Sequence, residues 1–364
     1  MRLTHLKAFA PICLQCRSES HTVPLRLAPG AQRAKGENDV IIDGALVCHD
    51  CNARYPIIDR IPFLLTDPAQ GLRDNLAAIT RRDDLSPANT AALNEAAVKA
   101  DPARQAERLY ESCYGWDSYG RTRGGRHNEP FAPFAPGCAA GCIARAETLR
   151  GRPLRGAILE LGCAAGGACF ALARHQRDHP RDLVLGIDLR FHLLRIAHQA
   201  LANTHVTFPL RREGHHYEPY RAAAPRGAYT RRVDFWLADA LALPFAQKTA
   251  RHVVALNLLE CVPDPAGLLA SMRTVASESG IIASPYDWSE HVNPPEAWLV
   301  SIQSPSTPGT TPETIPGTIP SKTLTAQLRA AGWTVIAEDR DVPWQTRLYD
   351  RGTMAYRTHV IVAH

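Results

Sequence analysis

Lysine is nearly missing from this chain: five of its 41 basic residues are Lys and the others Arg, against 36 acidic residues. The net charge of +5 is broken into short clusters at Arg121-Thr122-Arg123, Arg211-Arg212 and Arg231-Arg232. Clusters this short read as solvated surface, so composition supplies no continuous basic face for nucleic acid. No apolar run approaches the ~20 residues of a membrane span, which excludes a transmembrane helix. A secretory signal is also missing, because the stretch Leu6 to Ile12 is short and broken by Pro11. The expected location is the cytoplasm, where the ten Cys would be reduced thiols or metal ligands, not disulfides. What is present is length and apolar content: 364 residues exceed one typical domain, and 45% apolar residues can fill a large core.

The most informative stretch is Ala157 to Arg174, AILELGCAAGGACFALAR. Its apolar run ends in Glu160-Leu161-Gly162, passes through small residues to Gly166-Gly167, and resumes at helical spacing through Phe170 and Leu172. That pattern predicts a buried strand, a tight glycine turn and a helix start, where backbone can approach a nucleotide-like ligand. A second buried strand, Leu183 to Asp188, ends in a carboxylate about twenty residues past the turn, the place where a ribose diol is gripped. Val233 to Pro244 (VDFWLADALALP) and Val253 to Asn257 (VVALN) follow.

This order of elements resembles the class I S-adenosylmethionine (SAM) methyltransferases over roughly residues 135 to 364. The resemblance implies an α/β fold, a Rossmann-like domain of seven strands. It also implies roles. Gly162, Ala164 and Gly166 would lie under the methionine part of SAM, and Glu160 would hold its amino group through an outer hydrogen bond. Asp188 would bind the ribose hydroxyls, Asp239 with Ala240 the adenine end, and Asn257 the methionyl edge. One departure is that the turn reads GCAAGG, with Ala164 where a glycine is usual, which is expected to require a negative φ there.

Ahead of this domain, Cys13-Leu-Gln-Cys16 and Cys48-His-Asp-Cys51 form two CxxC knuckles among short strands near Val40 to Ile42 and Ala45 to Val47. Four thiolates so spaced suit a closed tetrahedral structural Zn²⁺ site, whose metal would supply folding energy a small module lacks. The following CNARYPIIDRIPFLL resembles the small zinc-ribbon proteins that activate translation-related methyltransferases. The division expected is therefore 1–66 zinc ribbon, 67–134 helical connector and substrate cap, and 135–364 SAM methyltransferase domain. In the connector, Leu85-Ser86-Pro87 opens one helix and Asp101-Pro102 a second running to Tyr110. Tyr110, Tyr114, Trp116 and Tyr119 would then line the substrate pocket or form a seam between domains. Ser304 to Pro320 is Pro/Thr-rich and reads as a loop or lid. A helix at Leu324 to Ala331 and strands at Trp333 to Ala337 and Tyr356 to Ala363 complete the chain.

The fourth strand lacks the Asn/Asp-Pro-Pro-Tyr tetrapeptide of amino-methylating relatives, and no Pro-Cys nucleophile occurs, so base-carbon chemistry is not expected. The Phe208 to Arg232 insertion, with its Glu213-Gly214-His215-His216-Tyr217, and the Ser284-Pro285-Tyr286-Asp287-Trp288-Ser289-Glu290 segment resemble the methyltransferase domain of ovothiol biosynthesis. That likeness covers residues 157 to 300 and implies a small polar or amino-acid-like acceptor. A base for nitrogen, oxygen or sulfur methylation could be His215, His216, Tyr217, Glu260, Tyr286 or Asp287, with His216, Tyr286 and Asp287 preferred. An RNA or translation-factor substrate and a non-catalytic SAM-binding scaffold are the alternatives. No membrane partner is expected, and the oligomeric state is not written in the sequence.

Overall fold

The computed structural model describes residues 1–18, 21–81, 89, 102–120, 136–176, 179, 182–299 and 320–364. The expected helix start at Leu85-Ser86-Pro87, and all of Ser304 to Pro320 except Pro320, lie outside the described residues. The amino-terminal part supplies β1 (Arg26–Leu27), β2 (Gln32–Ala34), β3 (Glu37–Val47), β4 (Arg54–Ile58) and β5 (Ile61–Leu64). After the connector come β6 (Ile158–Leu161), β7 (Val184–Asp188), the hairpin β8 (His205–Glu213) and β9 (His216–Ala223), and β10 (Val233–Ala238). The chain closes with β11 (Ala250–Leu256), β12 (Ala276–Ser284), β13 (Val335–Tyr349) and β14 (Gly352–Ala363).

Strands β6 and β10 are buried at every position, as expected of parallel strands covered on both faces. The order β10-β7-β6-β11-β12-β14-β13 is parallel up to β12, with β14 and β13 antiparallel at the far edge. These seven strands are the α/β sheet the sequence predicts. They do not stop at β10. Its other edge pairs in parallel with β5, at Leu237↔Phe63 and Ala238↔Leu64, and β4, β3 and β1 continue outward, with β2 on β3. The amino-terminal strands therefore extend the central sheet and cover an edge that would otherwise present unpaired backbone groups.

One core runs through the junction. Phe9, Ile41, Leu46 and Tyr55 from the amino-terminal part cluster with Trp236, Phe245 and Leu159. Phe63 is fully buried, its ring 5.4 Å from Phe191. Polar ties follow the same path: the Arg2 amide donates to Asp234 at 2.7 Å, Ile12 to the Pro244 carbonyl at 2.9 Å and Arg17 to the Leu243 carbonyl at 2.7 Å. Shared apolar burial across the junction thus contributes to holding the amino-terminal part in place.

Other elements differ from expectation in length. The helix opened by Pro102 runs to Tyr119, not Tyr110, because Tyr110, Tyr114, Trp116 and Tyr119 all pack against the protein from it. The strand expected at Trp333 to Ala337 begins at Val335 and extends to Tyr349, paired with β14 along its length. Val40 to Ile42 and Ala45 to Val47 belong to one strand. No helix among the described residues is long and apolar enough to cross a membrane.

Candidate active site and metal centre

The carboxyl ends of β6, β7, β11 and β12 meet around the glycine turn. Three non-glycine residues there have left-handed backbone: Ala164 (φ +47°), Asn257 (φ +48°) and Tyr286 (φ +59°). The negative φ expected at Ala164 is thus overturned. The turn is closed by Gly162 and Cys163 amides on the Ile187 carbonyl, both 2.9 Å, and Ala164 donates its own amide to Asp188 Oδ2 at 2.9 Å. Those bonds fix a conformation that costs about 1–2 kcal/mol in an L-residue. Gly166 is at φ +88°, and a Cβ there would lie 2.5 Å from the Phe235 ring, so only glycine fits. Strained positions gathered at one row of strand ends make this a candidate functional site.

Two carboxylates flank this turn. Glu160, 3% exposed in β6, accepts from the Cys169 thiol at 2.8 Å. Burial pushes its carboxyl up to about 8, the Cys169 bond opposing and nearby Asp188 adding to the rise. Asp188 is also raised by burial, although its oxygens accept from the Arg190 amide (2.9 Å) and the Ala164 amide. Asp239 Oδ1 accepts from the Leu241 amide at 2.8 Å, and Ala240 beside it is buried. Asn257 is anchored by its amide on the Ala283 carbonyl at 2.7 Å, while its Oδ1 is buried without a partner. A buried acceptor left open is a place for a ligand donor.

The long helix Pro102–Tyr119 closes over the turn. Tyr119 donates its hydroxyl to the Ala165 carbonyl at 2.6 Å, and a Cβ on Gly167 would meet Ser118 Oγ at 2.8 Å. Arg190 stacks on Tyr110, 4.4 Å from its centroid. Burial raises the Tyr114 hydroxyl, with Cys261 and Asp188 near enough to add to it. The aromatic bunch therefore faces the strand ends as well as joining elements.

Of the base candidates, Tyr286 and Asp287 follow β12 at these strand ends. Tyr286 shares a 2.6 Å hydrogen bond with His359 Nδ1, and Asp287 accepts from the Tyr356 hydroxyl at 3.0 Å. His216 stands apart: it is exposed at the start of β9 and its Nε2 lies 3.5 Å from Glu218 in the same hairpin. His215 is exposed in the same turn, and Tyr217 lies under Arg108, 4.2 Å from its ring. Tyr356 and His359 were not singled out in the sequence, since β14 reaches the cleft only through antiparallel pairing with β12. Arg190, two residues past Asp188, could have been found from that spacing.

The second candidate centre is in the amino-terminal part. The Sγ atoms of Cys13, Cys16, Cys48 and Cys51 lie within 4.8 Å of one another, with Cys13–Cys51 and Cys16–Cys48 both 3.6 Å apart. Sulfurs on a tetrahedron with ~2.3 Å bonds to zinc stand about 3.8 Å apart, so the set fits that ion. Burial works against the Cys13 thiolate, but Tyr55, 3.4 Å away, and backbone amides bring its thiol down to about 6. Among the described residues no other cluster of this kind occurs.

Residues 159–284 match the family described as "Methyltransferase domain". This stretch carries a methyltransferase domain. It covers the glycine turn, Asp188, Asp239, Asn257 and the end of β12. No curated protein matches the chain. Solved structures similar to it include a chain of the complex holding the Haloferax volcanii Trm112 methyltransferase activator, 15% identical, covering 61% of this chain and 87% of that one, TM-score 0.38. The Methanosarcina mazei SAM-dependent methyltransferase is 17% identical, covering 57% and 92%, TM-score 0.35. The CcbJ methyltransferase of Streptomyces caelestis is 13% identical, covering 63% and 96%, TM-score 0.37. These likenesses are distant, and the methyltransferase assignment rests on the family match.

Proposed function

We propose that this methyltransferase moves the methyl group of SAM to a small polar or amino-acid-like acceptor, on nitrogen, oxygen or sulfur. The observation that carries the reading is the set of left-handed residues and open polar atoms at one row of strand ends. Glu160, Gly162, Ala164 and Gly166 would hold the methionine part, Asp188 the ribose and Asp239 with Ala240 the adenine. The open Oδ1 of Asn257 would accept from the methionyl edge. Bound SAM supplies an electrophilic methyl on a sulfonium. The protein's part is to place the acceptor lone pair in line with that methyl, at about 3 Å, and to exclude water. Tyr286 and Asp287, with the cap helix above, form the acceptor wall. The exposed place of His216 makes it an entrance residue in this reading. Zn²⁺ on Cys13, Cys16, Cys48 and Cys51 would be structural, since four thiolates leave no open position.

The test is mass spectrometry of a cell extract incubated with the protein and methyl-labelled SAM. Label in a small molecule is expected. Label in RNA or protein would replace the acceptor class, and SAM binding without any transfer would indicate a scaffold.

A further inference from the structure

Glu260 lies in the turn Leu259–Cys261 after β11 and is 5% exposed. Its Oε2 accepts from Ser284 Oγ at 2.8 Å, and Ser284 is itself fixed by the Tyr286 amide at 3.0 Å. Asn293 holds the Glu260 carbonyl through Nδ2 at 3.2 Å. No ion pair reaches this carboxylate among the described residues. The groups facing it are Asp287 and Tyr286 from the segment after β12, Tyr356 from β14 and Cys261 from its own turn. Glu111 makes the contrast. It is as deeply buried, yet it is clamped by Arg81 at 2.9 Å and Arg104 at 3.6 Å. An uncompensated buried carboxylate costs several kcal/mol, so a purely structural role would favour a neutral residue. Asn293, which holds the Glu260 carbonyl, leaves its own Oδ1 buried without a partner, as does Asn257 at the end of β11.

We propose that Glu260 takes the proton the methyl acceptor sheds, with Ser284 holding the receiving carboxylate. This rests on the methyl-transfer reading above. As the acceptor heteroatom bonds to the methyl carbon, the carbon–sulfur bond breaks and its electron pair stays on sulfur. The heteroatom–hydrogen bond gives its proton to the Glu260 carboxylate and keeps its own pair. The sulfonium charge disappears, Glu260 becomes neutral, and no oxidant or reductant is needed. Burial pushes this carboxyl up to about 7, with the Ser284 bond opposing and Asp287 adding to the rise. A base of that strength suits imidazole, thiol or amine acceptors, ordinarily near 6.5, 8.5 and about 10, and not an aliphatic hydroxyl.

The test uses the full-length protein, methyl-labelled SAM and the small-molecule fraction of a cell extract, with calorimetric SAM affinity alongside. Glu260→Gln keeps an oxygen for Ser284 but takes no proton. Its transfer rate should fall at least about 100-fold with SAM affinity unchanged. Below about pH 7 the wild-type rate should fall by one more factor of ten per pH unit than the variant's, whose remaining slope is the acceptor's own protonation. Glu260→Asp should recover part of the rate. A variant with the wild-type rate and pH profile overturns the role of Glu260 alone. One that loses SAM binding makes the carboxyl structural. Absence of transfer by the wild type removes the functional reading and this role with it.

Discussion

Replacing Glu160 with Gln should make the ligand-free protein more stable, most of all at higher pH. The folded carboxyl sits at about 8 against an ordinary 4.5. The native state therefore holds a proton that the unfolded chain releases, and stability falls as pH rises from about 4.5 to about 8. At about 1.36 kcal/mol per pH unit, that gap amounts to roughly 3–5 kcal/mol at pH 8. Gln is neutral throughout and can still accept from Cys169, so its variant escapes the loss. Urea unfolding of both proteins at pH 5 and pH 8 isolates the effect, because Glu260 and the other titrating groups are common to both. The variant should gain about 3–5 kcal/mol at pH 8 and only about 1 kcal/mol at pH 5. An equal difference at both pH values, or a less stable variant at pH 8, would show that Glu160 is ionised and satisfied in the fold.

Elemental analysis should find one zinc per chain, and Cys48→Ser should release it and loosen the knuckles while the sheet around β10 stays folded; a metal-free wild type of equal stability would remove the zinc site. If Asp188 holds the ribose as proposed, Asp188→Ala would remove a charge-assisted bond of about 1.5–3 kcal/mol, and calorimetry should show SAM bound roughly 10- to 150-fold more weakly. Unchanged affinity would mean that the ribose is held elsewhere. Ala164→Gly relieves about 1–2 kcal/mol of left-handed strain and loses about 0.5–1 kcal/mol to backbone entropy, so stability should rise by up to about 1.5 kcal/mol. A clear loss of stability in that variant would mean that the Ala164 methyl packs usefully.

The seven-stranded sheet and its methyltransferase character were legible because local pattern and function coincide. Buried parallel strands read as unbroken apolar runs, and the glycine turn and the Asp188 carboxylate lie at fixed distances along the chain. The two CxxC knuckles were legible for the same reason, since each pair of ligands is set by one turn. What depended on non-local pairing was not. No periodicity in Ile61–Leu64 says that β5 will add to β10, because parallel pairing is decided by which edge is free once both parts have folded. The left-handed backbone of Ala164 depends on the bond its amide donates to Asp188, twenty-four residues away in sequence. The place of Glu260, without a cation among the described residues, likewise exists only where β11, β12 and β14 come together. Sequence alone determined the strands, the turn and the ligand spacings, because each is a matter of neighbours along the chain. Tertiary structure decided which carboxylates are neutralised and which are left to react, because burial and partners come from segments that meet only in the fold.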